Sequence, residues 1–270
     1  LSKPPAPEVA RKVLGRLREC GKPAVVHFIG LRGAAARSGG RDRVRHAGSL
    51  EESAGLAVSL LRGSPCDPRA FSPPEEELQA LAARAAAGMG AGQRYLRGLF
   101  TGGTLADEAL FLLEKEIGEV YSNNQLRPEL RLADAHRSRG HTVVDLGDDV
   151  FTVGRPHPMI DPGIRTERIL QEAEDAEVAV LLLDCVLGHG SHPDPAGAML
   201  DSLKEAAERA RKRGGALAVV ASVTGTAGDP QNLQEQTDKL ASAGCLVMPS
   251  NYQASWLACR ILRELERRGA

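Results

Sequence analysis

The stretch VAVLLLDCVLGHGSHPDP (178–195) decides the fold. Its first half is an apolar run without polar alternation, which is typical of a strand buried on both faces of a parallel sheet. Its second half is a loop of glycine, histidine and proline, and a helical pattern over 195–213 follows. A strand, a polar loop and a helix in this order indicate a parallel α/β architecture with its chemistry at the carboxyl ends of the strands.

The same unit recurs along the chain from Tyr95 onward. The apolar runs predict strands over 95–100, 142–146, 178–184, 216–222 and 245–249. The intervening patterns predict helices over 104–116, 163–174, 195–213, 230–242 and 253–268. We therefore predict that residues 94–270 form an α/β domain, a doubly wound parallel flavodoxin-like sheet with the strand order 2-1-3-4-5.

Residues 1–62 have a shorter pattern. A helix, a strand, a loop rich in glycine and arginine and a second short strand lead to the capping pair Ser49 and Glu52, which predicts a helix to about Leu61. Two strands do not form a stable sheet alone, so we expect this part of the chain to be incomplete. The proline and glycine residues of 63–93 predict a linker that contains one helix.

The charge balance excludes several classes of protein. Thirty-four Lys and Arg residues stand against 35 Asp and Glu residues, a formal net charge of −1, whereas nucleic acids and anionic membrane surfaces select clustered positive charge. The sequence has no apolar run of roughly 20 residues, and its start is not typical of a signal peptide. We therefore expect a cytoplasmic protein without a nucleic-acid or membrane partner.

The five cysteines lack the spacing of a metal site. They are Cys20, Cys66, Cys185, Cys245 and Cys259. An odd number of cysteines without a secretion signal predicts reduced thiols, and we expect no metal ion. Leu1 is not a methionine, so we expect a processed product or a fragment.

The first loop of the 94–270 domain is Thr101-Gly102-Gly103-Thr104, between a predicted strand and a predicted helix. Two glycines let backbone N–H groups come close to a ligand, and the start of a helix favours anions. We predict that this loop binds phosphate or another part of an anionic substrate. The alternative is a tight turn without a ligand.

The second loop combines Asp148, Arg155, His157 and Asp161 with rigid prolines. An arginine can clamp a carboxylate or phosphate with two parallel hydrogen bonds, and a histidine can donate or relay a proton. We predict that Arg155 and His157 are catalytic and that the two aspartates contact the substrate. The alternative is a surface loop whose charges are only solvated.

The third loop places two histidines three residues apart. Its candidate residues are His189, Gly190, Ser191, His192 and Asp194. A metal ion or a nucleophile with its base would use such side chains, but the loop lacks the helix that an HxxxH zinc site needs. We therefore predict that His189 and His192 are catalytic groups that polarise a carbonyl, and that the rest of the loop binds an anion.

Hydroxyl and amide groups follow the last two strands. They suit hydrogen bonds to a small polar substrate, and the candidates are Thr224, Gly225, Thr226, Gln231, Asn232, Ser250 and Asn251. Capping of the next helices, by Asp229 in the first case, is compatible with this role. Because the loops after parallel strands lie along one edge, we expect all five loops to meet around one small anionic substrate.

Five segments resemble the FdrA family, whose members are described as acyl-CoA synthetases related to the α and β subunits of succinyl-CoA synthetase. The segments are RGLFTGGTLADEA (97–109), GHTVVDLGDDVFTVGRPHPMIDP (140–162), LGHGSHPDPAGAM (187–199), VVASVTGTAGDPQNL (219–233) and PSNYQA (249–254). The resemblance implies that residues 94–270 are a β-type ligase domain in the C-terminal half of the family's chain. SKPPAPEVARKVL (2–14) and PAVVHFIG (23–30) resemble the end of an α-type ligase domain, a second flavodoxin-like domain that would be incomplete here.

The resemblance also implies partners and cofactors. The family's N-terminal Rossmann domain would lie outside this chain, and CoA or a nucleotide would bind through it, with phosphate as the other candidate. The missing N-terminal half and additional subunits are the expected partners, in a homo-oligomer or a hetero-complex.

The phosphorylated histidine of succinyl-CoA synthetase has no counterpart by this comparison. That histidine lies in a GHAG-like loop, and this chain has His46 in the similar sequence RHAG. However, His46 comes just before the Ser49 cap, whereas the synthetase loop would align near Leu31–Gly40, which contains no histidine. We therefore expect no phosphohistidine, which argues against nucleotide-driven thioester synthesis.

Family members found with purine-catabolism genes are implicated in oxamate carbamoyltransfer, in which oxalurate and phosphate exchange with oxamate and carbamoyl phosphate. In that reaction Gly102, Gly103 and 190–194 would hold phosphate, and Arg155 would bind the carboxylate. One of the loop histidines (157, 189 or 192) would polarise the carbonyl or protonate the nitrogen. The alternatives are an acyl-CoA ligase of the succinyl-CoA synthetase type and, for this chain alone, a non-catalytic binding or assembly module.

Overall fold

The structure is a computed structural model that describes residues 5–30, 43–63 and 72–269. The chain divides into two compact units, Leu1–Ser72 and Pro73–Ala270. The division falls inside the segment 63–93.

The first unit contains helix α1 (Pro7–Glu19), strands β1 (Ala24–Val26) and β2 (Val44–His46), and helix α2 (Leu50–Arg62). The two strands pair in parallel, and α1 packs on them through Ala10 and Leu14. Ser49 caps α2 by accepting a hydrogen bond from the N–H of Glu52 at 3.0 Å, as the capping pair predicts. The segment Leu31–Gly40, used above to compare the histidine loops, lies outside the described residues.

The second unit is built on a six-stranded parallel sheet. Its strands are β3 (Tyr95–Phe100), β4 (Val120–Ser122), β5 (His141–Asp145), β6 (Val178–Val186), β7 (Ala218–Thr224) and β8 (Leu246–Met248). Their order is β4-β5-β3-β6-β7-β8, and every pair is parallel. The five predicted strands therefore have the predicted order, and the doubly wound flavodoxin-like fold is confirmed. Sequence analysis missed β4, because a three-residue edge strand gives no recognisable hydrophobic pattern.

Seven helices are described in the second unit. They are α3 (Glu75–Ala87), α4 (Gly103–Ile117), α5 (Asp149–Thr152), α6 (Gly163–Glu172), α7 (Leu200–Lys212), α8 (Leu233–Ser242) and α9 (Asn251–Gly269). The helices predicted from 195 and 230 begin later, at Leu200 and Leu233; a 3₁₀ turn, Gly197–Met199, precedes the first of them. Among the described residues, no helix combines the length and the apolar character that crossing a membrane requires.

The helices cover both faces of the sheet. On one face α3, α4 and α9 pack over Leu96, Phe100 and Leu182. On the other face α6, α7 and α8 pack over Leu99 and Leu183. Successive residues of one strand thus enter different cores, which explains why these strands are continuously apolar.

A buried ionic network fixes the segment that leads into β5. Arg97 donates through Nε to one oxygen of Glu172 at 2.8 Å, and Arg168 donates through Nε to the other at 2.6 Å. Arg168 also donates to the hydroxyl of Ser138 at 2.9 Å. The side chains of Arg97, Arg168 and Glu172 are all at most 5% exposed. Removing the shared carboxylate would therefore leave two buried guanidinium charges with too little compensation.

We expect Glu172→Ala to lower the free energy of unfolding by about 3–5 kcal/mol, measured by urea denaturation, because a buried ion pair is broken from one side. Glu174→Ala is the matched control. Glu174 forms an exposed pair with Arg209, and its loss costs less than about 1 kcal/mol. Equal effects of the two substitutions would contradict this role of Glu172.

His141, the first residue of β5, is held in its neutral form. Its Nδ1 accepts a hydrogen bond from the N–H of Leu96 at 3.2 Å, and its ring meets Tyr95 edge to face. Burial, and secondarily the charge of Arg97, lower the pKa of His141 to about 4. The unfolded chain therefore takes up this proton first as the pH falls.

This shift predicts a loss of stability in weak acid. The contribution of His141 is complete above its ordinary pKa of about 6.5 and is lost as the pH falls towards 4, by about 3 kcal/mol in total. We expect the free energy of unfolding to fall less steeply between pH 7 and pH 4 in His141→Gln than in the wild type. His136→Gln, which changes an exposed histidine, keeps the wild-type slope. Parallel curves for the wild type and His141→Gln would show that His141 is not held neutral.

Candidate functional site

The carboxyl ends of the strands form one edge of the sheet. Asp145 is the register partner of Phe100, and Asp184 is the partner of Ser222, which in turn pairs with Met248. The loops that leave these strands therefore start side by side, as the parallel topology requires. They are the five loops in which the candidate residues lie.

A carboxylate of the protein itself occupies the start of α4. Asp184, which is fully buried, accepts hydrogen bonds from the N–H of Thr101 at 3.0 Å, the hydroxyl of Thr101 at 3.2 Å and the N–H of Gly102 at 2.8 Å. Arg165 of α6 balances its charge at 3.0 Å. Two N–H groups of the predicted phosphate loop thus donate to Asp184. An anion that binds at this loop would therefore have to use the N–H groups of Gly103 and Thr104.

A second carboxylate, Asp145, lies on the other side of β3. One of its oxygens accepts a hydrogen bond from the N–H of Gly147 and the other from the side chain of Asn124, both at 2.9 Å. A Cβ on Gly103 would lie 2.7 Å from Asp145, so glycine is required for this carboxylate to reach the first residue of α4. Asp145 and Asp184 therefore flank the start of α4.

The surroundings of Asp145 raise its pKa above the ordinary value of an aspartate. Burial is the main cause that raises the pKa of Asp145, and the charges of Asp148 and Asp184 act in the same direction. The hydrogen bonds from Gly147 and Asn124 oppose them without reversing the shift. Such a carboxyl group suits proton transfer.

His157 lies against the same turn. A Cβ on Gly147 would be 2.5 Å from His157 Nε2 and 3.2 Å from Asp145 Oδ1, so the ring and the carboxylate are close neighbours across this glycine. His157 Nδ1 accepts a hydrogen bond from the N–H of Met159 at 3.2 Å. The neutral ring therefore carries its proton on Nε2, the atom that lies against Gly147.

The loop that contains His192 repeats this arrangement. His192 Nδ1 accepts a hydrogen bond from the N–H of Asp194 at 3.0 Å, which again leaves the proton of the neutral ring on Nε2. The N–H of His192 donates to the carbonyl of Met159 at 2.7 Å, so the second and third loops are bonded to each other. The turns that begin at His157 and His192, both of sequence His-Pro-X, thus each leave Nε2 as the ring nitrogen that can donate a hydrogen bond.

Two buried glutamines fasten the third loop to the fourth. Gln231 donates to the carbonyls of Gly188 at 2.7 Å and His192 at 3.2 Å. Gln236 donates to Asp194 at 2.9 Å. Burial alone would raise the pKa of Asp194, but hydrogen bonds from Gln236 and Lys239 hold it below its ordinary value. Asp194 is therefore an ionised anchor of the loop.

Several other candidates have structural partners. Asn232 caps α8 by accepting the N–H of Glu235 at 3.3 Å, whereas Asp229 accepts the N–H of Thr226 at 2.6 Å. The expectation that Asp229 caps this helix is therefore wrong, because the helix begins three residues later than predicted. Thr224 and Gly225 are exposed beside Thr226.

The loop after β8 ties α9 to α4. Ser250 accepts the N–H of Gln253 at 3.1 Å in the first turn of α9. Asn251 is buried and donates to the carbonyl of Leu105 at 3.0 Å and to Glu108 at 2.9 Å. These two residues hold the helices together at the edge.

The remaining candidates lie at the outer part of the edge. Asp148 accepts the N–H of Val150 at 3.1 Å and Asp161 that of Gly163 at 2.9 Å, each next to the start of a helix. The outer residues of the third loop are His189 and Gly190, both exposed, and Ser191, whose N–H closes a turn at Gly188. Within the described ranges, no group of three His, Cys, Asp or Glu side chains could hold a metal ion.

Arg155 is exposed on the wall of a cavity of about 350 Å³ between α5 and α6. Phe151 and Ile164 contribute apolar surface to this cavity, and Gln171 contributes an amide. Glu167 and Arg168 also line this cavity, so its wall is mostly polar. A small anionic ligand would match Arg155.

The residues that organise the edge, above all Asp145 and Asp184, are not among the predicted site residues. Each follows a run of apolar residues at the end of a strand, where a charge is costly unless it has partners. A charged residue at the end of an apolar run was therefore the sequence signal from which both aspartates could have been predicted. The supporting residue Asn124 gave none, because the edge strand before it was not recognised.

We expect Gly147→Ala to displace the His157 ring, because the new methyl group would overlap Nε2. The ring resonances of His157 in an NMR spectrum should shift, and the free energy of unfolding should fall by about 1–3 kcal/mol. Gly92→Ala, at a glycine with open space around it, is the control and leaves the ring unchanged. Unshifted His157 resonances in Gly147→Ala would refute the contact.

Comparison with known proteins assigns the family. Residues 99–261 match the family model described as CoA-ligase. The uncharacterized protein YahF of Escherichia coli (strain K12) is 43% identical over 260 residues, which cover 96% of this chain and 49% of YahF, so the chain spans about half the length of that relative.

Two solved structures are similar, each 14% identical over 91% of this chain and 35% of theirs. They are ATP citrate lyase from Methanothrix soehngenii in complex with citrate and coenzyme A, with a TM-score of 0.41, and a variant of Methanosaeta concilii ATP citrate lyase in complex with (3S)-citryl-CoA, with a TM-score of 0.40. The CoA-ligase family model covers more than half of the residues of this chain, so the chain belongs to the CoA-ligase family.

Proposed function

We propose that this chain is part of a carbamoyltransferase subunit of the FdrA type, which converts oxalurate and phosphate into oxamate and carbamoyl phosphate. The observation that carries the proposal is the joining of the second, third and fourth loops through Met159, His192 and Gln231. This joining places two histidine rings and a carboxyl group of raised pKa at one edge of the sheet.

The two histidines supply hydrogen-bond donors for a carbonyl oxygen. His157 and His192 each have Nδ1 occupied by a backbone N–H, so each neutral ring can donate only from Nε2. Donors held in place before the reaction stabilise the negative charge that develops on a carbonyl oxygen under attack. We assign this role to His157 and His192.

Arg155 is assigned to the carboxylate of the substrate. It is exposed on the wall of its cavity, and a guanidinium group binds carboxylates through two parallel hydrogen bonds. Phosphate would be held by Gly103, Thr104 and the 190–194 loop, since Asp184 takes the N–H groups of Thr101 and Gly102.

The reaction needs no covalent enzyme intermediate. A phosphate oxygen attacks the carbamoyl carbon, the carbon–nitrogen bond to oxamate breaks, and the electron pair of that bond stays on the nitrogen. The nitrogen gains the proton that hydrogen phosphate loses. The residues 31–40, which contain no histidine, favour such a direct transfer over a phosphohistidine route.

The second candidate is an acid–CoA ligase of the succinyl-CoA synthetase type, and membership of the CoA-ligase family favours it. In that case CoA or a nucleotide would bind through an N-terminal Rossmann domain of the kind that the FdrA resemblance implies. The first candidate is favoured instead because the residues 31–40 contain no histidine for a phosphohistidine route.

The two candidates differ in their cofactor requirement. We would assay the full-length protein, purified with the chains that accompany it, with oxalurate and inorganic phosphate and detect carbamoyl phosphate. Formation of carbamoyl phosphate without ATP or CoA supports the transferase. Formation of an acyl-CoA that requires ATP and CoA, together with a histidine that ATP labels, would replace it by the ligase.

Arg155→Ala should lower kcat/KM for oxalurate about 100-fold, mainly through KM, because two charge-assisted hydrogen bonds to the carboxylate are lost. The melting temperature should stay close to the wild-type value, since an exposed loop side chain makes few core contacts. Arg137→Ala, at another exposed arginine, is the control and keeps wild-type kinetics. If Arg155→Ala unfolds, or if its kinetics equal those of the control, Arg155 does not bind the carboxylate of the substrate.

A further inference from the structure

The segment after β4 forms hydrogen bonds to three groups of Asp145: its N–H, its carbonyl and its carboxylate. The side chain of Asn123 accepts the N–H of Asp145 and donates to its carbonyl, both at 3.0 Å. The neighbouring side chain of Asn124 donates to the carboxylate at 2.9 Å. Asn123 thus replaces a strand partner beyond the end of β4, and Asn124 fixes the orientation of the acid.

The carboxyl group is only partly saturated by these contacts. Each oxygen accepts one hydrogen bond, from Gly147 or from Asn124, and each carboxylate oxygen can accept a further one. Glycine at positions 103 and 147 gives Asp145 room to approach α4 on one side and His157 on the other. The acid is therefore directed at the edge where the loops meet.

Two other aspartates act on the charge of Asp145. Asp148 lies on its own loop and Asp184 on β6, where Arg165 of α6 balances the charge of Asp184. The His157 ring faces the acid across Gly147. Burial is the main cause that raises the pKa of Asp145 and the two aspartates add to it, so its protonated state persists to a higher pH than that of an exposed aspartate.

We propose that Asp145 is the general acid of the site and that Asn124 is its positioning residue. This inference rests on the proposed carbamoyl transfer. When the carbon–nitrogen bond of oxalurate breaks, the nitrogen keeps the electron pair and takes the proton of Asp145. The carboxylate then takes the proton that hydrogen phosphate loses when its oxygen bonds to the carbamoyl carbon. Asp145 ends the cycle protonated, and no other reactant is required.

The kinetic test uses the full-length protein with its accompanying chains. Asp145→Asn should lower kcat for carbamoyl phosphate formation about 1,000-fold, within the range of general acid catalysis, with KM changed less than about 3-fold. Asp149→Asn is the matched control, because Asp149 is an exposed aspartate four residues later, at the start of α5. It should keep the wild-type kcat. A wild-type kcat in Asp145→Asn would overturn the proposal.

Asn124→Ala tests the positioning role by a readout that a purely structural role would not move. The hydrogen bond from Asn124 lowers the pKa of Asp145, so its loss raises that pKa and extends the protonated state to higher pH. The alkaline limb of the kcat profile should therefore move to higher pH, with a kcat about 10-fold lower at its optimum. An unmoved limb would refute the role of Asn124.

A measurement without turnover separates this inference from the proposed function. The Nε2 resonance of His157 should shift in Asp145→Asn and stay in place in Asp149→Asn. If the wild type forms no carbamoyl phosphate, the transferase proposal fails and the general-acid role fails with it, whereas the shift still supports the proximity of Asp145 and His157 on either side of Gly147. If the wild type is active and the resonance does not shift in Asp145→Asn, the general-acid assignment alone is overturned.

Discussion

The buried carboxylate of Asp184 joins the layers of the second unit. It belongs to β6, accepts the N–H groups of Thr101 and Gly102 before α4, and pairs with Arg165 of α6. Since α4 and α6 cover opposite faces of the sheet, this one group links both helix layers at the carboxyl edge. Without it, the start of α4 would lose the negative charge that its dipole favours, and a buried arginine would lose its partner.

The position of Asp184 changes how the edge can bind an anion. A glycine-rich loop before a helix usually offers its N–H groups to a ligand, but here an internal carboxylate takes two of them. A second carboxylate, Asp145, stands on the other side of β3. The positive and hydrogen-bond-donating groups lie further out, at Arg155, His157 and His192. We therefore expect a bound anion to lie between Gly103 and Thr104 and the outer loops rather than against Thr101 and Gly102.

The fold was largely predictable because five of its strands are continuous apolar runs followed by polar loops. Such runs arise when a strand is covered on both faces, as β6 is by residues that alternate between two cores. The short edge strand β4 lacks that cover and was missed. The helix starts at Leu200 and Leu233 were also misplaced, because a 3₁₀ turn and the Asn232 cap use residues that continue a helical pattern.

The candidate site was less predictable for a related reason. The loops could be placed at one edge from topology alone, but the bonds that join them are made by backbone groups, as between His192 and Met159, and by distant side chains such as Gln231 and Asn124. The spacing of residues in the sequence does not indicate which of these groups form hydrogen bonds with each other. The close approach of His157 to Asp145 depends on the missing side chain of Gly147. The position of His157 beside Asp145 therefore depends on a glycine ten residues earlier in the sequence. An interpretation that considers one loop motif at a time does not connect these residues.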